Sequence, residues 1–397
     1  MTRMTNSSHQ EKESITSLHK PVLLGSLALT FLLFSLPIYG KLLGANALAI
    51  GGLFSAFTLT TVVLRPLVGW ALDRFGRRGF FVTALATHAV SMGLFAFATS
   101  LGGLYRARVV QGAASSLMGT SVNTIVADLT SPDDRGKKMG RVIELQTRGE
   151  IIGVFAGFGL MSSLSTGIAW RLTFMGYAMM AVLGAGLAWK NVPETRPHLP
   201  SVAWPRSPLS GQFLKLLLIV FTTGLSAGMI KPIYLIFLQD KFTTDIATLG
   251  WAFLPAGIVY GVLPSRLGGL SDSFGRAPAM AFGLIGAGLL SLFLPKLPTI
   301  GWLVVLYTLS AVGWSLADPA EVALVADLTG GETRGRAYGF YEFAGGLGAT
   351  LGPLLGGWLY DALGQPIPFY LNGVILLASA TWVLLMLRQQ PSSDNQN

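Results

Sequence analysis

Six charged side chains stand out because they sit inside long apolar stretches: Arg108, Arg148, Glu150, Lys231, Asp318 and Glu321. A charge near the centre of a bilayer costs at least ~2.5 kcal/mol, so each is a candidate for handling a proton, an ion or a charged solute. Glu150 lies roughly 12 Å into the apolar stretch 142–162 at 1.5 Å rise per residue. Desolvation at that depth favours the protonated carboxyl, the chemistry of a reversible proton carrier. Arg148 and Arg108 are its candidate partners, each favouring the charged form, and a permanent ion pair between spans four and five is the competing reading. Asp318 and Glu321 are three residues apart and share a helix face, with Pro319 between them. They suit a proton or a cation, or else mark the solvated end of their span. Lys231 is either a cavity charge or a snorkelling lysine. His88 reads as a packed neutral imidazole.

A second set of charges lies between the apolar stretches, and it is duplicated. Residues 69–77 read Gly-Trp-Ala-Leu-Asp-Arg-Phe-Gly-Arg, and residues 268–276 read Gly-Gly-Leu-Ser-Asp-Ser-Phe-Gly-Arg. Asp73 and Asp272, Asp128 and Asp327, and Arg135 and Arg334 are each 199 residues apart. One offset shared by separate motifs makes the chain two homologous halves. Gly76 permits a tight reversal with positive φ. Asp73 and Asp272 close a helix and are placed to accept from a neighbouring helix N-terminus, whose dipole favours an anion. Arg77 and Arg276 are expected to pair with Asp128 and Asp327, forming latches at one face of the protein. The alternative is that Arg74, Arg77 and Arg78 only enforce topology.

The elements that position these charges are membrane helices. Of 397 residues, 51% are hydrophobic and 12% charged, about half the ~25% of a soluble domain. Apolar runs near or above the length needed to cross a bilayer recur twelve times, six per half. Residues 1–20 read as a cytoplasmic tail without signal-peptide character, 21–189 as a six-helix bundle, and 190–211 as a proline-rich linker. Residues 212–387 read as the second bundle and 388–397 as a cytoplasmic tail. With both termini inside, 17 of the 28 Lys and Arg residues fall on the cytoplasmic side, five on the other and six within spans. That asymmetry sets the orientation. The net charge of +9 is spread over these loops, which argues against a nucleic-acid partner. There is no cysteine, hence no thiolate metal site, and no HExxH or P-loop motif of an enzyme.

The loop Gly69-x-x-x-Asp73-Arg74-x-Gly76-Arg77-Arg78 resembles the signature loop of the major facilitator superfamily. Its eroded copy, Asp272-Ser273-Phe274-Gly275-Arg276, falls after the eighth span, where that family places its second copy. The resemblance covers essentially the whole chain. It implies an all-α polytopic membrane protein, with twelve transmembrane helices in two pseudo-symmetric six-helix bundles that work by alternating access. It also implies that Asp73, Arg74, Arg77, Asp128, Arg135, Asp272, Arg276, Asp327 and Arg334 form a cytoplasmic gate stabilising the outward-facing state.

Arg108-Val-Val-Gln111-Gly112, with Leu104 before it, resembles the RxxQG motif of proton-coupled drug antiporters, in which the Arg takes part in proton transfer. The fifth span carries Gly149, Gly153 and Gly157 at the small-xxx-small spacing of close helix packing. The antiporter pattern has a Pro where this span has Val154, whereas the eleventh span has Gly352-Pro353.

The expectation is proton-coupled export of a small amphipathic solute by a monomer in the plasma (inner) membrane, with no cofactor and no metal. A uniporter or symporter for a metabolite or organic anion held by Arg108 and Arg148 is the alternative, and a lipid flippase is a further one. The asymmetric positions bear on the choice, because Arg108, Arg148 and Glu150 have Tyr307, Leu347 and Ala349 as repeat mates.

Overall fold

A computed structural model describes residues 16–129, 135–195, 210–243, 246–263, 275–328 and 334–387. Among the described residues the regular secondary structure is helical throughout, in twelve long helices and one short 3-10 turn. Those of the first half are α1 (Thr16–Leu42, with a turn at 26–28), α2 (Ala47–Phe75), α3 (Arg78–Ala96), α4 (Leu101–Asp128), α5 (Arg135–Ser163) and α6 (Thr166–Asn191). Those of the second half are α7 (Gly211–Lys241), α8 (Ile246–Val262), α9 (Arg276–Phe293), α10 (Ile300–Asp327), α11 (Arg334–Ala362) and α12 (Ile367–Leu387). Eight of them are long and apolar enough to cross a membrane. The others are α4, α5, α8 and α11, of which α8 spans 17 residues.

The sequence repeat is written into the helix ends. α1 and α7 end at Leu42 and Lys241, α2 and α8 start at Ala47 and Ile246, and α4 and α10 run 101–128 and 300–327. α5 and α11 run 135–163 and 334–362, so all these bounds differ by 199. The start signals are local. Ser100 caps α4 by accepting from Gly103 N, and Ser210 caps α7 by accepting from Phe213 N.

The chain divides into two compact units: Met1–Ala45 with Ala56–Ser201, and Asn46–Ser55 with Val202–Asn397. In the first unit, Leu18, Phe81, Leu85, Val122 and Ile125 form a fully buried core between α1, α3 and α4. In the second, Phe213, Leu216, Ile219, Leu284 and Val383 do the same for α7, α9 and α12. The linker division at 190–211 assigns all of α2 to the first half. Residues 46–55 instead group with the second unit. There the Asp361 carboxylate caps α2, accepting from Ala47 N at 3.2 Å and Leu48 N at 2.8 Å, and Ser55 Oγ donates to Thr350 O at 2.6 Å.

Glycine faces join helices inside each unit. Gly149 and Gly153 of α5 lie against the carbonyls of Leu23 and Leu27 in α1, and Gly157 lies against the Phe31 ring. Gly348, Gly352 and Gly356 of α11 meet the carbonyls of Phe221, Leu225 and Met229 in α7. A Cβ at Gly153 would overlap the Leu27 carbonyl, which as backbone cannot move aside. Gly153→Ala is therefore expected to lower stability by about 2–3 kcal/mol, read as thermal melting in detergent. Gly159→Ala is the control, since a Cβ there meets nothing within 4 Å.

Candidate functional site

The duplicated loop builds the first cluster. After Leu72 the chain reverses at Gly76, whose φ is +97°, and its repeat mate Gly275 has φ +92°. A side chain is excluded at Gly76 twice over, because a Cβ would also lie 2.7 Å from the Glu194 carboxylate. The reversal turns Arg77 inward until it is 3% exposed. Its Nε pairs with Asp128 Oδ2 at the end of α4 at 3.2 Å, and its Nη1 donates to Leu72 O. The expected Arg77–Asp128 ion pair is thus formed within the first unit.

Sequence reasoning missed the third member of this cluster. Glu194 Oε1 accepts from Arg77 N at 2.5 Å and from Arg78 N at 3.4 Å, receiving the N-terminus of α3. An anion there is favoured by the unsatisfied N–H groups and the helix dipole. The available signal was composition: Glu194 is the lone acid in the linker 190–211. Glu194→Gln is expected to cost about 0.5–1 kcal/mol, measured as a lowered melting temperature.

Arg74 does not join the latch. It is exposed, and its guanidinium lies over the Trp70 and Phe75 rings at 5.8 and 5.7 Å. The side chains of Asp73, Asp272, Asp327, Arg135 and Arg334 lie outside the described residues. The second-half pair of Arg276 with Asp327 therefore stands only on the matching turn at Gly275.

The intramembrane charges separate into three settings. Arg108 is 4% exposed, donates from Nη1 to Gln111 Oε1 at 2.8 Å and stacks its guanidinium 5.3 Å from the Phe57 ring. Gly112 lies against Phe57 O, and Thr61 Oγ1 donates to Gly112 O at 3.2 Å. The Arg-x-x-Gln-Gly segment thus positions a buried cation and lets α2 approach α4.

In α5, Glu144 is held by Arg141 at 2.5 Å and by Arg148. Glu150 accepts a hydrogen bond from the Thr30 hydroxyl of α1 at 2.5 Å. Among the described residues it makes no ion pair, so the expected contacts with Arg148 or Arg108 are not formed. For Arg148 the reason is helical geometry. Residues two apart point about 200° away from each other, whereas Arg148 and Glu144 are four apart and share a face.

In the second unit, Tyr341 of α11 donates to Glu321 Oε1 of α10 at 2.9 Å, and Asp318 lies one turn earlier on the same face. Lys231 is exposed beside the buried Pro232 of α7, and His88 is buried in α3. Tyr307, the repeat mate of Arg108, stands among aromatic rings, 5.7 Å from Tyr234 and 5.2 Å from Phe253. The two units therefore carry opposite chemistry at matching positions: a buried cation in one and an aromatic cluster in the other.

A sequence profile described as Major Facilitator Superfamily matches residues 22–214 and again 216–397. The chain belongs to the Major Facilitator Superfamily. The boundary between the two matched segments falls beside the proline-rich linker. Among relatives in this superfamily, the chain is 25% identical over 382 residues to multidrug resistance protein 1 of Bacillus subtilis, covering 92% of this chain and 95% of that one. It is 26% identical to the class E tetracycline resistance protein of Escherichia coli, over 79% of this chain and 78% of that one. A bacterial homologue of the human lysosomal transporter Spinster superposes with a TM-score of 0.77 at 15% identity, covering 95% and 96% of the two chains. At that identity the likeness is one of fold. The superfamily and the apolar helices make this a multi-pass membrane protein and a transporter rather than an enzyme.

Proposed function

We propose that this protein is a secondary active transporter that exports small amphipathic solutes in exchange for protons by alternating access. The observation that carries the proton assignment is the isolation of Glu150. A carboxylate clamped by Arg, as Glu144 is, leaves a bare cation when it takes up a proton. Glu150 is held by a neutral hydroxyl and does not. In this reading Glu150 is the proton carrier of the first unit. Asp318 and Glu321, with the Tyr341 hydroxyl, serve the second. Arg108 modulates the first site from α4, and Arg148 and Lys231 are secondary candidates for solute charge. Export agrees with the multidrug and tetracycline resistance proteins among the relatives. The bias of Lys and Arg supports a cytoplasmic position for both termini, and in this reading Arg77–Asp128 with its second-half counterpart acts as the cytoplasmic gate.

The test is a flux measurement in everted membrane vesicles energised to an acid interior, with ethidium as the lipophilic probe. The reading expects ethidium accumulation that collapses when the proton gradient is dissipated. Accumulation that persists without the gradient would contradict it.

A further inference from the structure

At the end of the first unit formed by Leu42 of α1, Ala96 of α3 and Thr166 of α6 there is a recess of about 320 Å³. Its lining includes Tyr39, Thr99, Ser165, Ile168, Arg171 and Leu172. The floor is fixed. Tyr39 stacks on Trp170 with centroids 3.8 Å apart, Tyr39 OH donates to Ala98 O at 3.1 Å, and Trp170 Nε1 donates to Phe95 O at 2.7 Å.

The charge of the recess is one-signed. The segments 41–46, 97–106 and 163–171 that meet at this end contain Lys41, Arg106 and Arg171 and no Asp or Glu. Arg171 is exposed, and among the described residues it has no carboxylate partner; its guanidinium lies 5.9 Å from the Phe97 ring. Ser165 lines the recess, and its hydroxyl makes no capping bond to α6. A guanidinium beside hydroxyls in a preformed recess fits a phosphate oxyanion.

The neighbouring surface says what carries that phosphate. Ile168, Leu172, Met175, Met179 and Val182 are all exposed and recur at three- and four-residue steps, forming one apolar stripe down α6 from the recess. A free anion has no use for such a stripe, whereas an acyl chain does.

We propose that this recess binds the headgroup phosphate of an anionic phospholipid through Arg171, with an acyl chain laid along the α6 stripe. The site is independent of the proton-coupling reading and lies at the opposite end of the unit from the Arg77–Asp128 latch.

The test is native mass spectrometry of the full-length protein in detergent, with phosphatidylglycerol, chain-matched phosphatidylcholine or inorganic phosphate added. One interfacial cation is expected to give roughly fivefold more phosphatidylglycerol than phosphatidylcholine adduct. Arg171→Gln is expected to remove that preference, Arg171→Lys to retain most of it, and Lys190→Gln at the far end of α6 to leave it unchanged. Inorganic phosphate is expected not to displace the lipid. Equal retention of both lipids by the unsubstituted protein, an unchanged preference in Arg171→Gln, or displacement by phosphate alone would each overturn the proposal. Arg171 is exposed and takes no part in the Tyr39–Trp170 stack, so its replacement leaves the folded unit available for measurement.

Discussion

Replacing Glu150 with Gln is expected to abolish gradient-driven transport while sparing probe-for-probe exchange. Gln keeps the volume of Glu and can still accept from Thr30 Oγ1, so the α1–α5 contact survives. What it cannot do is alternate between charged and neutral forms. A carrier locked in the neutral-like form still reorients with solute bound, and exchange persists, but the step powered by proton release is lost. In proteoliposomes the expected reading is gradient-driven ethidium accumulation at the level of protein-free vesicles, with exchange near that of the unsubstituted protein. Thr30→Val removes only the donor and is expected to have a smaller effect, a few-fold at most, in keeping with the ~1 kcal/mol net value of a hydrogen bond. Equal losses in drive and exchange for Glu150→Gln would point to a folding role instead.

Breaking the Arg77–Asp128 pair is the second large effect. Removing one partner of a buried ion pair costs about 3–5 kcal/mol, because the remaining charge is left in a poor solvent. Arg77 is 3% exposed, but Asp128 retains 28% and water compensates part of its loss. The expected cost of Asp128→Asn is therefore nearer ~2–3 kcal/mol. Arg77→Ala is expected to cost more, since it also removes the donor to Leu72 O that holds the loop. Swapping the charges, Asp at 77 with Arg at 128, is expected not to restore stability, because Asp cannot donate to Leu72 O. Thermal melting of the purified variants checks the order: Arg77→Ala lowest, then Asp128→Asn, then Glu194→Gln.

What could be read from residues alone was what depends on local order. The 199-residue offset foretold recurring helix ends, and Gly76 and Gly275 take the positive φ that their shared loop demands. Arg77 and Asp128 are legible as a pair because each closes a helix end at the same face. The glycines of α5 and α11 are legible as packing faces, but the Leu27 and Leu225 carbonyls they rest against are not.

Glu150 shows the same limit. Its depth follows from counting, but its partner Thr30 is 120 residues away and belongs to another helix, where no periodicity reaches. Its separation from Arg148 follows from helical geometry, because residues two apart in sequence point to different faces of a helix. The aromatic cluster of Tyr234, Phe253 and Tyr307 was hidden because three helices contribute one ring each. Glu194 was hidden because its partners are backbone N–H groups, which every sequence has.

The most direct test of proton-coupled export imposes no proton gradient at all. Proteoliposomes with equal internal and external pH and an enclosed pH dye are given an inward ethidium gradient. The account predicts that ethidium entry drives protons outward, so the lumen becomes alkaline, and that Glu150→Gln abolishes the pH change while ethidium-for-ethidium exchange persists. A lumen that stays neutral in the unsubstituted protein as ethidium enters, or one that turns acid, would contradict it.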